Sequence, residues 1–260
     1  MDFEEDIRQH VLKNLPHEAN DAQELAAKDA HSLLVIYWNW RSRFVSAQPR
    51  QVHRSNALLN NTLATDQAYQ LALEQIVANL ESGQDITPFL SRGLKHGYES
   101  PNSRKPSHLG GRRDLDLLLN DWGVHHLHLS TNLDSDNFVK RTKHVLFAVF
   151  RPSDAYLIDI MEHGDWTRDH ILKVMIKDWP HAGLVHQLNG VVGLETPVYE
   201  SDRKGIRNAG INTPFEFGGK VYMPAAGLTG AGTSVWITTA ANRLFHAVAS
   251  FRRQLTEDPE

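Results

Sequence analysis

The sequence predicts an α+β fold: a helical N-terminal region followed by an antiparallel sheet covered by helices. Three observations predict it. Apolar residues recur at helical spacing through the first ninety positions, the pattern shortens to strands between 124 and 161, and an amphipathic segment follows at 167–179. Helix-then-sheet order with a tight hairpin favours antiparallel pairing over a parallel α/β layout. The chain divides accordingly into a helical region (1–92), an α+β core (112–180) and a C-terminal α+β extension of that core (181–260).

In the first region, Asn20 or Asp21 can cap a helix from Ala22 to about Phe44, its apolar face including Leu25, Leu33, Ile36 and Trp40. Gln48-Pro49 ends it. A second helix is expected from Thr65-Asp66 through Leu73, Ile76 and Leu80 to Gly83, which suits a left-handed C-terminal cap. The segment 93–111, rich in Gly, Pro, Ser and basic residues, reads as a loop. A short helix follows from Asp114 to Trp122, capped by Gly123. Strands are expected at Val124–Ser130, His144–Phe150 and Ala155–Met161, the last two joined by Arg-Pro-Ser-Asp. A regular hairpin pairs Phe150 with Ala155 and sets His144 opposite Met161. Toward the C-terminus, Asp202–Ala209 suggests a basic helix, Gly218-Gly219 a hairpin, and the stretch to Leu255 a final amphipathic helix.

The chain of 260 residues has 15 histidines and no cysteine, so disulfides, thiolate nucleophiles and Cys-based zinc sites are excluded. No apolar run is long enough to span a bilayer, and the acidic start lacks a secretory signal, which sets a cytoplasmic protein without membrane contact as the expectation. A net charge of −4 conceals local basic segments. Arg41, Arg43, Arg50 and Arg54 crowd one stretch with no acid, and Arg92, Lys95, Arg104 and Lys105 fall in another. The first set is interleaved with Trp38, Trp40 and Phe44, and both sets are candidates for holding a nucleic acid; pairing with the chain's own acids is the structural alternative.

The densest chemistry is the run Trp122-Gly-Val-His-His-Leu-His-Leu-Ser130. Strand alternation puts His126 and His128 on one face with Val124, and His125 on the other with Leu127 and Leu129. An imidazole can accept a proton from a hydroxyl and return one to a leaving oxygen, as cleavage of RNA through its 2′-hydroxyl requires. On that reading His126 and His128 are acid and base, Arg141 and Lys143 hold the phosphate, and His163 assists, with no cofactor. The same pair, joined by Glu162, His163 or Asp165, also has the nitrogens and oxygens to bind zinc or manganese, although no His-Glu-x-x-His is present. The glycine-rich Gly227–Ser234 lacks the lysine of a P-loop, and no Gly-x-Ser-x-Gly elbow occurs. A module that binds nucleic acid or protein through its basic segments is the third reading.

Residues 114–166 resemble the core of RelE/ParE-type toxins, within the metal-independent ribonucleases that share a barnase-like sheet. The resemblance lies in a helix, a strand ending in His-His-Leu-His-Leu, the stretch Phe138-Val-Lys-Arg-Thr-Lys-His-Val-Leu-Phe-Ala-Val-Phe150, and Ala155-Tyr-Leu-Ile-Asp-Ile-Met-Glu-His163. Arg141 and His163 match the family's basic residue before the middle strand and its polar residue closing the last; His128 stands where a basic residue is usual. The resemblance implies an endoribonuclease acting as a toxin or phage-defence effector, with RNA as substrate and a protein partner or antitoxin. The chain is longer and more acidic than such toxins. It also resembles uncharacterised proteins of bacteria and mobile elements that carry a Trp-Gly-x-His-His-Leu-His-Leu run. The geometry expected is a helix at 167–179 on the Leu127 face, leaving His126 and His128 in a groove facing the 91–113 loop.

Overall fold

The computed structural model of the chain describes residues 2–100 and 113–257; Arg104 and Lys105 lie outside them. Helices α1 (Phe3–Asn14), α2 (Ala22–Ala26) and α3 (Ala30–Arg41) open the fold. The single helix expected over 22–44 is two, because Asp29 turns out of helical geometry and caps α3 with its carboxylate on the Ser32 amide at 2.8 Å. Strand β1 (Gln51–Arg54), a one-turn α4 (Asn56–Leu59) and α5 (Gln67–Ser82) follow. Helix α5 has the expected boundaries: Asp66 caps its start, and Gly83 at φ 78° ends it. Any Cβ on Gly83 would sit 2.6 Å from the Pro49 ring, so glycine is required twice over.

The central sheet comprises β1, β2 (His125–His128), β3 (His144–Phe150) and β4 (Asp154–Glu162) in the order β1-β4-β3-β2, with α6 (Leu117–Trp122) leading into β2. Strands β2, β3 and β4 are antiparallel as expected. Strand β1, not foreseen in the sequence, lies parallel to β4 at its far edge. The C-terminal part supplies α7 (Asp169–Asp178), β5 (Val185–Gln187), α8 (Glu200–Asn208), β6 (Phe215–Phe217), β7 (Lys220–Pro224) and α9 (Val235–Glu257), with β5-β7-β6 forming a second antiparallel sheet. Among the described residues no helix is long and apolar enough to cross a membrane.

Two features of the central sheet differ from expectation, and both shape the site. The face carrying Leu127 and Leu129 is covered by α5, through Leu73, Ile76 and Leu80, and not by α7. Helix α7 lies on the opposite face, where Ile171, Leu172 and Met175 join Val124, Val145, Phe147 and Ile158. The chain-adjacent helix was the nearest apolar cover in sequence, but α5 brings a longer apolar stripe from the N-terminal region.

The second difference is a β-bulge. Phe150 pairs with Ala155 as predicted, yet Phe147 pairs with Asp159 and Ala148 with Leu157, so Ile158 is an extra residue on β4. His144 therefore faces Glu162 and not Met161. A one-residue offset moves every later side chain to the other face. His163, which a regular hairpin would place on the face of His144, instead shares the face of His126 and His128. Asp159 sits at the bulge, buried. Its carboxylate accepts from its neighbour's amide, Ile160 N, at 2.8 Å, from Asn61 at 2.6 Å and from His170 Nε2 at 2.6 Å.

Candidate metal centre

Three imidazoles converge at the end of the sheet. His126 and His128 come from the edge strand β2; His163 follows directly after β4, and its amide donates to Lys143 O at 2.6 Å, extending the pairing with β3. The ring centroids of His128 and His163 lie 5.5 Å apart and stack at 13°, while His126 stands edge-on to them at 6.0 and 5.7 Å. One nitrogen from each ring lies within 4.8 Å of the others, and this is the group of potential metal ligands found among the described residues. Gly164 then turns the chain at φ 127°, where other residues are strained. That turn brings the Trp166 ring over the cluster, 4.6 Å from His126 and 4.8 Å from His163.

Burial keeps these rings neutral. Desolvation by the surrounding apolar side chains pushes His126 down to about 4 and His128 down to about 3, with mutual repulsion and Arg141 adding to the effect. His163 is lowered for the same reason, burial first and Arg141 second. The Asp116 carboxylate opposes the shift at His126. It caps α6 by accepting the Leu119 amide at 3.0 Å and lies in the wall of a cavity beside His126.

Hydrogen bonds from the protein reach one nitrogen on each of two rings. Arg141 Nη2 lies 3.2 Å from His163 Nε2, and the Thr142 amide donates to His128 Nδ1 at 3.3 Å. Thr142 Oγ1 lies 3.5 Å from that Nδ1, while it accepts from the Leu129 amide at 3.1 Å and donates to His144 O at 2.6 Å. The carboxylates considered as third ligands are engaged elsewhere: Glu162 pairs with Lys143 at 2.9 Å and Asp165 with Arg168 at 3.1 Å. Lys143 is therefore an exposed ion-pair partner of Glu162, while Arg141 is the cation that touches His163. His125 points to the other face, buried edge-on against Phe150 at 5.2 Å, and burial pushes its pKa down to about 4.

The basic segments are largely built into the fold. Arg43 and Arg50 are buried: Arg43 donates to Gly93 O at 3.1 Å and His96 O at 2.9 Å, and Arg50 to Arg151 O at 2.9 Å and Ser46 O at 2.8 Å. Arg54 forks onto Glu74 at 2.9 and 3.1 Å. Arg92 bonds Asp134 and lies 3.2 Å from Asp136, which also holds Lys95 at 2.7 Å. Arg41 is exposed, with its guanidinium over the Phe44 ring at 4.7 Å.

Trp166 and Asp116 are site residues that the sequence reading did not single out. Trp166 lies three positions beyond His163 across a Gly-Asp turn, a spacing that lets an aromatic ring fold back on its own strand. Asp116 carries only the signature of a helix cap. No protein-family model, curated protein or solved structure matches the chain.

Proposed function

We propose that the protein is a divalent-metal-dependent hydrolase whose ion is held by His126, His128 and His163. The convergence of three neutral imidazoles on one point carries this reading. Three protein ligands with a fourth position open is the pattern of catalytic zinc sites. Nitrogens bound to one tetrahedral ion stand about 3.3 Å apart, given metal–nitrogen distances of about 2.0–2.1 Å. The ligand nitrogens here lie within 4.8 Å of one another, so an ion would have to draw the rings inward by more than an ångström. An ion so held supplies Lewis acidity and a bound water of lowered pKa. Around it, Trp166 excludes bulk water, Asp116 offers a carboxylate to take up a proton beside His126, and Arg141 offers a charge to an oxyanion.

A second reading, a metal-independent endoribonuclease acting on RNA as a toxin or defence effector, draws on the Arg141–His163 contact, which sets a phosphate-binding cation beside an imidazole. Its weakness is protonation state. With His126 near 4 and His128 near 3, neither carries the proton a general acid must donate at neutral pH.

Elemental analysis of protein purified without a histidine tag, paired with RNA incubation in excess chelator, tests both. About one equivalent of zinc or manganese per chain, lost in His163→Ala, is the expected result. Less than a tenth of an equivalent, with no activity gained on adding either metal, overturns the metal reading. RNA cleavage in chelator that disappears in His128→Ala would establish the second reading in its place.

A further inference from the structure

Beside the histidines lies a cavity of about 610 Å³, reaching the cluster through His126 and Trp166. That volume falls in the range of small-molecule sites. Two kinds of residue dominate its lining. One is apolar: Leu90, Leu94, Leu117, Leu118 and the Trp166 ring. The other is a polar stripe on α8, where Ser201, Lys204, Arg207 and Asn208 recur at the three- and four-residue spacing that shares one helix face.

The charges on that stripe are unequally spent. Arg207 is buried, with its Nε on Asp121 at 2.8 Å and its Nη1 on the carbonyl of Trp166 at 2.8 Å; its Nη2 has no acceptor among the described residues. Lys204, one turn away, is exposed and forms no ion pair among the described residues. The acids that share the walls are partly engaged: Glu200 accepts from the Asp169 amide at 2.8 Å and pairs with Arg168, and Asp116 caps α6 through Oδ1. The Lys204 ammonium, with the Ser201 hydroxyl and the Asn208 amide on the same helix face, supplies the charge and donors a phosphate takes. The charge of Arg207 is balanced by Asp121, and its buried Nη2 adds one N–H without an acceptor.

We infer that this cavity binds a small organic phosphate, its phosphate on the Lys204–Arg207 face of α8 and its apolar body against Leu117, Leu118 and Trp166. The bond between Arg207 and the Trp166 carbonyl ties the phosphate end to the residue that covers the histidines. As an account of the substrate, the inference rests on the metal-hydrolase reading; as an account of binding, it does not.

Isothermal titration in chelator therefore separates the two. Phenyl phosphate and adenosine 5′-monophosphate are each compared with their uncharged counterparts, phenol and adenosine. At least one phosphate is expected to bind tenfold or more tightly than its partner. Lys204→Glu, at an exposed helical position, should weaken that binding at least tenfold with an unchanged melting temperature, and His163→Ala should leave it intact while abolishing metal binding. If neither phosphate is preferred over its counterpart, or Lys204→Glu has no effect, the inference fails. Tighter binding of benzoate than of phenyl phosphate would also overturn the assignment to phosphate. Loss of metal in every condition with phosphate binding preserved would overturn only the reaction.

Discussion

At the scale of single residues, the cluster is defined by what burial does to an imidazole. A histidine held neutral inside the fold titrates below its unfolded value of about 6.5. As pH falls through that value, the unfolded chain takes up protons that the folded chain refuses until about 4 at His126 and His125, and about 3 at His128. The stability these rings contribute is therefore fully present above pH 6.5 and is lost as the solution is acidified toward 4. Each such ring contributes a slope approaching roughly 1.4 kcal/mol per pH unit. Urea denaturation in chelator at pH 7 and pH 5 should show a loss of several kcal/mol, partly relieved in His128→Phe. A stability that is level over that interval would contradict the burial of these rings. The alternation of His126 and His128 against His125 was legible in the sequence, because a strand of this polarity pattern allows only one division of faces. Trp166 and Asp116 were not, since their roles depend on a turn and on a cavity wall that no local spacing encodes.

At the scale of elements, the bulge in β4 assembles the site. Without Ile158 as an extra residue, His163 would face α5 in the company of His144, whose Nδ1 instead bonds Tyr69 at 2.9 Å. Nothing in Ala-Tyr-Leu-Ile-Asp-Ile-Met announces a bulge: there is no glycine, and the run reads as one buried strand. The one oddity is Asp159, an acid among apolar residues, and the structure explains it as the acceptor that satisfies the bulge amide and binds Asn61 and His170. Replacing Asp159 by Ala leaves those donors unpaired and should cost about 2–4 kcal/mol. It should also weaken metal binding at least tenfold by loosening the register that presents His163. Thermal melting and a metal titration on the same variant check the two effects; destabilisation with unaltered metal affinity would show that the bulge persists without it. The hairpin turn, the α5 boundaries and the Gly218-Gly219 connection were all legible, because their turn and cap residues act locally.

At the scale of the whole molecule, the N-terminal region is structurally continuous with the sheet. Strand β1 adds to β4 in parallel, and α5 closes the Leu127 face, so residues far apart in sequence share one core. Neither contact has a local signal: β1 is four residues long and follows a proline, and α5 advertises an apolar face without naming its partner. The arginines that looked like a nucleic-acid surface show the same principle. Arg50 fixes the chain entering β1 to Arg151 O and Ser46 O, and desolvation lowers its pKa. Arg50→Ala should therefore destabilise the fold by about 2–4 kcal/mol, read as a shift in the denaturation midpoint, whereas Arg41→Ala should change it by less than about 0.5 kcal/mol. Equal effects of the two would contradict the strut role of Arg50.

Cobalt titration of metal-free protein tests the central claim most directly, because a three-histidine site reports its own geometry through visible absorption. One equivalent of Co²⁺ should produce the intense bands of four- or five-coordinate cobalt, displaced by zinc and absent in His126→Ala, His128→Ala and His163→Ala alike. No saturable absorption, or a spectrum that survives all three substitutions, would show that these histidines do not form a metal centre.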